Sequence, residues 1–194
     1  MDIVIASNNS HKIEEYKEIL KEFKDLHIMS LKEAGIVVNP DENGKTFEEN
    51  SLIKAKACAE LTDKVVIADD SGLIVDSLPD ILGVKTARFL GEGTPYPQKW
   101  AEVIRLLEGK ERTARFVCAI TLINFEKEPV CFKGECVGNI ALKPQGTSGF
   151  GYDPIFVPNG YQETFATLGE EIKNKISHRA NASKMLVSYL QEKL

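Results

Sequence analysis

Residues 65–73, with the sequence VVIADDSGL, constrain the fold most, because a β-branched apolar run ends there at two adjacent acids. The first four of these residues show no polar alternation, which is typical of a strand buried on both faces of a sheet. We expect the strand to end at Asp69 and Asp70, and the chain to turn through the Ser-Gly pair that follows. Ligands of open α/β sheets bind at the carboxyl ends of strands, so both acids are candidate site residues. A polar turn without function would also explain the Asp-Asp-Ser-Gly sequence. Considered without the rest of the chain, these four residues favour that interpretation.

The chain is long enough for one substantial core or two closely joined lobes, since 43% of its 194 residues are hydrophobic. No linker, internal repeat or low-complexity tract divides it. We therefore expect residues 1–194 to form a single domain.

The sequence pattern predicts a protein of the α/β class, in which strands and helices alternate at first. The predicted strands, besides the one above, are residues 3–6, 27–31 at a sheet edge, 114–125 and 130–142, the last two forming a long hairpin. The predicted helices begin after the turn at residues 7–10, after the capping box formed by Thr46 and Glu49, at Tyr96 and after the N-cap Ser177.

Charge and cysteine content argue against several functional classes. A net charge of -5 is not typical of proteins that bind nucleic acid polymers, although a few focused lysines can bind a small phosphate ligand. The N-terminus resembles neither a signal peptide nor a membrane span, so we expect a cytoplasmic protein without a membrane partner. The four cysteines contain no CxxC pair, which argues against a zinc site and favours reduced thiols.

The turn at residues 7–10 is a candidate anion site. It leads into a helix whose N-terminal amides attract anions, and Asn8, Asn9 and Lys12 add side-chain donors there. Asn and Ser are also ordinary N-caps, so a capped helix without a ligand explains the pattern equally well.

Glu42 is a candidate metal ligand, because it lies in a polar loop ahead of the second helix. Glu48 and Glu49 follow at the helix start, where acids complement the positive end of the helix dipole. For those two we prefer the dipole explanation.

Residues 144–160 are rich in glycine, proline and aromatic residues. Glycines let a ligand approach the backbone, and an aromatic ring offers a stacking face for a base. A turn between strands suits the same composition and is the commoner explanation. The usual dinucleotide and P-loop fingerprints are absent from the sequence.

Two cationic side chains follow Ser177 at the start of the last helix. His178 and Arg179 oppose the helix dipole there, which is unfavourable unless they face an anion or an acceptor. Their placement favours a functional role, and Lys173, one turn earlier, is close enough to join them.

Four motifs occur in order along nearly the whole chain. They are SNNSHK at residues 7–12, ADDSGL at 68–73, GFGYDPIF at 149–156 and SHR at 177–179. Together they resemble the motifs of the inosine/xanthosine triphosphate pyrophosphatase (Ham1-like) family. That family hydrolyses non-standard purine nucleoside triphosphates such as ITP, dITP and XTP to the monophosphate and pyrophosphate, using Mg²⁺, as homodimers.

The resemblance implies an α/β fold with an elongated mixed central β-sheet flanked by helices, and two lobes with the active-site cleft between them. It implies that Glu42 and Asp70 bind Mg²⁺ and that Asp70 is also the catalytic base. We expect the neighbouring Asp69 to support Asp70 without binding the metal itself. Phosphates would contact the first motif and Lys54. Residues 150–153, Lys173, His178 and Arg179 would surround the nucleobase. The implied substrate-binding residues are Ser7, Asn8, Asn9, Ser10, His11, Lys12, Lys54, Ser71, Phe150, Gly151, Tyr152, Asp153, Lys173, His178 and Arg179.

One residue and one segment depart from the family pattern. Asn8 stands where the family usually has glycine, and SLPDILGVKTAR at residues 77–88 replaces a glycine-rich segment, which changes the expected loop around Arg88. Two other functions remain as alternatives, a nucleotide-binding module without hydrolysis and a broader phosphatase that releases orthophosphate.

Overall fold

The structure, a computed structural model, describes residues 1–194. Six strands form one sheet in the order β2-β1-β3-β4-β5-β6. The strands are β1 (Asp2–Ile5), β2 (His27–Ser30), β3 (Val65–Val75), β4 (Thr113–Ile123), β5 (Val130–Ile140) and β6 (Phe156–Pro158). Strand β1 is parallel to β2 and β3, whereas β5 and β6 are antiparallel, so the sheet is mixed.

Six α-helices accompany the sheet. They are α1 (Ser10–Ile19), α2 (Phe47–Ala59), α3 (Tyr96–Leu106), α4 (Phe165–Leu168), α5 (Glu170–Ile176) and α6 (His178–Lys193). Short 3-10 helices occupy Gly83–Arg88 and Asp153–Ile155. The prediction of an α/β protein with a mixed sheet and helices is confirmed.

The chain divides into two compact units. The first contains Met1–Asp70, Cys118–Gly134 and Ala182–Leu194, and the second contains Ser71–Val117 and Glu135–Asn181. The predicted single domain and the predicted two-lobed shape with its cleft stay predictions.

The first unit buries both faces of β1 and of the first residues of β3. Ile3, Ile5 and Ile67 belong to one apolar cluster, which also contains residues of α1 and α6. Val4 and Val66 belong to another, which also contains residues of α2. The prediction that residues 65–68 are buried on both faces is therefore confirmed.

Strand β3 is longer than its sequence predicts, and the expected turn at Ser71 and Gly72 is wrong. The strand continues without a break to Val75, so Asp69 and Asp70 lie in its middle and not at its carboxyl end. Continued extension places Leu73 and Val75, both fully buried, in the apolar core of the second unit. The backbone N–H of Leu73 also donates to Thr86 Oγ1 at 3.0 Å.

Other local predictions are mostly confirmed. The predicted hairpin corresponds to β4 and β5, which are neighbours in the sheet, and β2 is an edge strand. Thr46 caps α2 by accepting from the Glu49 N–H at 3.1 Å, but the Glu49 carboxylate accepts from the Lys45 N–H and not from the cap residue. Ser177 Oγ accepts from the Ala180 N–H at 3.0 Å, as expected of an N-cap. All four cysteines are free thiols.

Candidate functional site

Acids and lysines form a connected cluster in the first unit. Lys54 Nζ, on α2, lies 2.9 Å from Glu42 Oε1 and 3.5 Å from Asp70 Oδ1. Lys12 Nζ, on α1, lies 2.9 Å from Asp69 Oδ1. Glu42 reaches the cluster from the loop before α2, and both aspartates reach it from β3. The structure thus brings together three of the predicted residues, Glu42, Lys54 and Asp70, and places the Lys12–Asp69 pair beside them.

Burial and charge shape the ionisation of this cluster. Burial raises the pKa of the Asp70 carboxyl to about 6, although the charges of Lys54 and Lys12 oppose the rise. Burial acts to lower the pKa of the Lys54 ammonium, but the charges of Asp70, Asp69 and Glu42 outweigh it and raise that pKa. The neighbouring charges therefore favour the charged form of Lys54, whereas burial makes the charged form of Asp70 less favourable than it is in water.

One oxygen of Asp70 has no partner. Asp70 Oδ2 is buried and makes no hydrogen bond, and such an atom is costly unless something binds it. No group of three or more histidine, cysteine, aspartate or glutamate side chains is arranged to hold a metal ion. Mg²⁺ does not need such a group, because it usually binds one or two carboxylates and takes its other ligands from water and substrate phosphates. The donor set of Glu42 and Asp70 fits that ion.

A close backbone approach fixes the loop that carries Glu42. The Gly44 N–H donates to Asn50 Oδ1 at 2.8 Å. A Cβ at position 44 would lie 2.6 Å from that oxygen and 2.8 Å from the Glu49 Cβ. Glycine at position 44 therefore allows α2 to hold the loop in place.

The predicted anion turn is a capped helix start. Asn9 Oδ1 accepts from the N–H groups of His11 and Lys12 at 3.0 and 3.4 Å, and Ser7 Oγ accepts from the Asn9 N–H at 3.1 Å. Asn8, Ser10 and His11 are exposed. The cap uses two helix amides, and phosphate binding by Ser7, Asn8, Asn9, Ser10 and His11 stays a prediction.

In the second unit, a buried ion pair lies beneath an aromatic ring. Asp153 Oδ2 accepts from Lys173 Nζ at 2.8 Å and from the Phe150 N–H at 3.0 Å. The carboxylate and ammonium side chains are only 3% and 4% exposed. Lys173 Nζ also lies 4.2 Å from the centroid of the Phe150 ring. The structure thus brings these three predicted base-site residues together.

Gly151 and Tyr152, between Phe150 and Asp153, bond to other parts of the second unit. The Tyr152 hydroxyl is buried and donates to the Thr86 carbonyl at 2.9 Å. The Gly151 carbonyl accepts from Trp100 Nε1 at 2.8 Å. Sequence reasoning missed Trp100 and Thr86. The available signal for Trp100 was general, since a partly buried indole N–H usually finds an acceptor.

Three further predicted residues lie in the second unit. The His178 ring stacks on Phe116, with centroids 4.7 Å apart and planes 17° apart. Arg179 is 1% exposed and donates from Nη2 to Ser71 Oγ at 3.2 Å. The structure thus brings together Arg179 and Ser71, two of the predicted substrate-binding residues.

Comparison with known proteins decides the family. Residues 3–189 match the model of the Ham1 family. The chain belongs to the Ham1 family. It is 42% identical over 197 residues to a dITP/XTP pyrophosphatase from Thermoanaerobacter pseudethanolicus, covering 100% of this chain and 98% of that protein. It is 42% identical over 193 residues to the dITP/XTP pyrophosphatase from Bacillus subtilis, covering 98% and 97%.

A solved Ham1 structure has the same fold. The structure of the Staphylococcus aureus Ham1 protein superposes with a TM-score of 0.90 at 39% identity, and each chain covers 100% of the other. The resemblance drawn from the four motifs is therefore confirmed for the family and for the α/β fold.

Proposed function

We propose that this Ham1 protein is a hydrolase that converts dITP, ITP and XTP to the nucleoside monophosphate and pyrophosphate. Full-length identity to dITP/XTP pyrophosphatases supports the activity and substrate class. The observation that carries the chemistry is the cluster of Glu42, Lys54 and Asp70, in which Asp70 Oδ2 has no partner. The proposed role of this activity is to remove non-canonical purine nucleoside triphosphates from the nucleotide pool.

Mg²⁺ is the proposed cofactor, and Glu42 and Asp70 are its proposed protein ligands. When bound, the ion supplies positive charge that offsets the charge developing on the phosphate oxygens during hydrolysis. Two carboxylates, both within ion-pair distance of Lys54, present hard oxygen donors, and the oxygen of Asp70 that makes no hydrogen bond is one of them.

The chain's own residues supply the remaining chemistry. Lys54 and Lys12 carry positive charge that stabilises the transferred and departing phosphate oxygens. Asp69 holds Lys12 in place through its 2.9 Å ion pair. Asp70 orients the water that attacks the α-phosphorus, or accepts its proton, in line with the departing pyrophosphate.

Recognition of the base is assigned to the second unit. Ammonium and guanidinium groups are donors only, and the buried side chains of Lys173 and Arg179 are the proposed donors to the purine. A purine 6-keto oxygen accepts from such groups. Adenine has an amino donor at that position and would leave buried donors unpaired. Phe150 offers the stacking face.

A comparison of several nucleoside triphosphates as substrates tests this proposal. We expect kcat/KM for dITP and XTP to exceed that for dATP by at least about 100-fold, because unpaired buried donors penalise adenine. Initial rates of pyrophosphate release with Mg²⁺ measure it, with GTP and ITP in the same panel. Nucleotide binding without product would indicate the non-hydrolytic module, and release of orthophosphate in place of pyrophosphate would indicate the broader phosphatase.

The loop glycine offers a test of the metal site. Gly44→Ala forces the added Cβ against Asn50 and Glu49, which displaces the loop that carries Glu42. Disturbing the support of a ligand typically weakens metal binding about tenfold or more. We expect the Mg²⁺ concentration for half-maximal activity to rise by about that factor. Gly93→Ala is the control, because nothing lies within 4 Å of its added Cβ. An unchanged Mg²⁺ dependence in Gly44→Ala would argue against Glu42 as a ligand.

The family resemblance also supports a homodimer working in the cytoplasm, without nucleic acid polymers or membranes as partners. Light scattering on the purified protein measures the oligomeric state. No helix of the structure is long and apolar enough to span a bilayer.

A further inference from the structure

The chain's single tryptophan lies against the loop that the proposed function assigns to the nucleobase. Trp100, on α3, is partly buried and donates from Nε1 to the Gly151 carbonyl at 2.8 Å. Gly151 follows Phe150, whose ring covers Lys173. The indole thus contacts the loop directly beside its proposed stacking residue.

The backbone of the loop around Gly151 is tight. Gly149 and Gly151 both have positive φ, of 74° and 61°, and a Cβ at position 149 would lie 2.1 Å from Asp153 Oδ2. The Asp153 carboxylate holds the inner side of the loop by accepting from the Phe150 N–H. On the other side, the Gly151 carbonyl accepts from Trp100.

Neighbours on α3 strengthen this attachment. The Tyr96 ring meets Tyr152 edge-on, with centroids 5.4 Å apart, and Tyr152 donates to the Thr86 carbonyl. Lys99 is 1% exposed, donates to the Ala87 carbonyl at 2.6 Å and lies 4.9 Å from the Tyr96 centroid. One turn of α3 therefore contacts two segments of the second unit, at Ala87 and at residues 151–152.

We propose that Trp100 is a positioning residue for base recognition, holding the Gly151 carbonyl so that Phe150 stays over Lys173. The inference rests on the proposed function and deepens it, because it assigns the placement of the stacking ring to a side chain outside the four motifs. Without the indole N–H, the Gly151 carbonyl loses its donor from α3. The Phe150 ring can then leave the position in which it would stack on the bound purine. The triphosphate chemistry belongs to residues of the first unit and does not depend on this bond.

A variant lacking the donor tests the proposal. In Trp100→Phe we expect the KM for dITP to rise about fivefold, the effect of losing one hydrogen bond, with kcat within about twofold of the parent protein. Val103→Ala, in the buried core contact of the same helix, is the matched control for lost packing. It should lower the melting temperature without raising KM. Equal KM changes in the two variants, or no change in Trp100→Phe, would overturn the proposal.

Trp100 also provides a signal that does not depend on turnover. Since it is the only tryptophan, the intrinsic emission of the unmodified protein reports on the indole alone. We expect dIMP to shift this emission at concentrations that calorimetry shows to be saturating, whereas pyrophosphate should not. Unchanged emission with dIMP bound would contradict contact between the indole and a base-responsive loop. If the parent protein releases no pyrophosphate from dITP, the proposed function fails; if it does and these two results are negative, only the role of Trp100 fails.

Discussion

Replacement of Asp70 by asparagine is expected to lower kcat for dITP by about a thousandfold or more while the protein stays folded. The substitution keeps the size of the side chain and removes its charge. It takes away both the buried oxygen that has no partner in the structure and the group that orients the attacking water. Steady-state pyrophosphate release measures the loss, and circular dichroism with urea unfolding checks that the fold persists.

The control for this variant is Asp76→Asn. Asp76 follows the same strand, is exposed and lies outside the acid and lysine cluster, so its loss of charge should leave kcat unchanged. Near-normal turnover by Asp70→Asn would show that another carboxylate carries the reaction, with Asp69 the first to examine.

Replacement of Lys173 by methionine is expected to cost about 3–5 kcal/mol of the free energy of unfolding, because it leaves the buried Asp153 carboxylate without its cation. Both side chains of this ion pair are at least 96% buried, at 4% and 3% exposure, so solvent cannot screen the remaining charge. For a chain of this length, such a loss corresponds to a fall in melting temperature of about 10 °C. Urea unfolding and thermal melts monitored by circular dichroism measure both quantities.

Lys175→Met is the matched control on the same helix. Lys175 pairs with Glu171 at 3.4 Å, but the two side chains are 70% and 87% exposed, and exposed pairs add little to stability. We expect no measurable change in its unfolding midpoint. If Lys173→Met behaves like Lys175→Met, the buried pair does not stabilise the second unit as its geometry indicates.

The run of Val and Ile in β3 made the buried strand predictable, because apolar residues without alternation need cover on both faces. The end of the strand was not predictable in the same way. Gly72 and two aspartates are turn residues by local preference, but Leu73 and Val75 find a second apolar core, and that tertiary contact favours continued extension. Local sequence thus placed the acids on the right strand and at the wrong position along it.

For the candidate site, motif order indicated the residue types, while the pairing of side chains required the fold. The sequence separates Glu42, Lys54 and Asp70 by many residues, and only the return of the chain through α2 to β3 joins them at one ammonium. The contact of Trp100 could not be predicted from the sequence either. The sequence predicted the helix that carries Trp100, but nothing in the helical pattern revealed the carbonyl that the indole N–H contacts.

The most direct test of the proposed chemistry follows the oxygen of the attacking water. dITP is hydrolysed with Mg²⁺ in water enriched in oxygen-18, and both products are examined by phosphorus NMR and mass spectrometry. Attack at the α-phosphorus, with Asp70 orienting the water, predicts one labelled oxygen in dIMP and unlabelled pyrophosphate in equal amount. Label in pyrophosphate, or release of labelled orthophosphate in place of pyrophosphate, would contradict the proposed reaction.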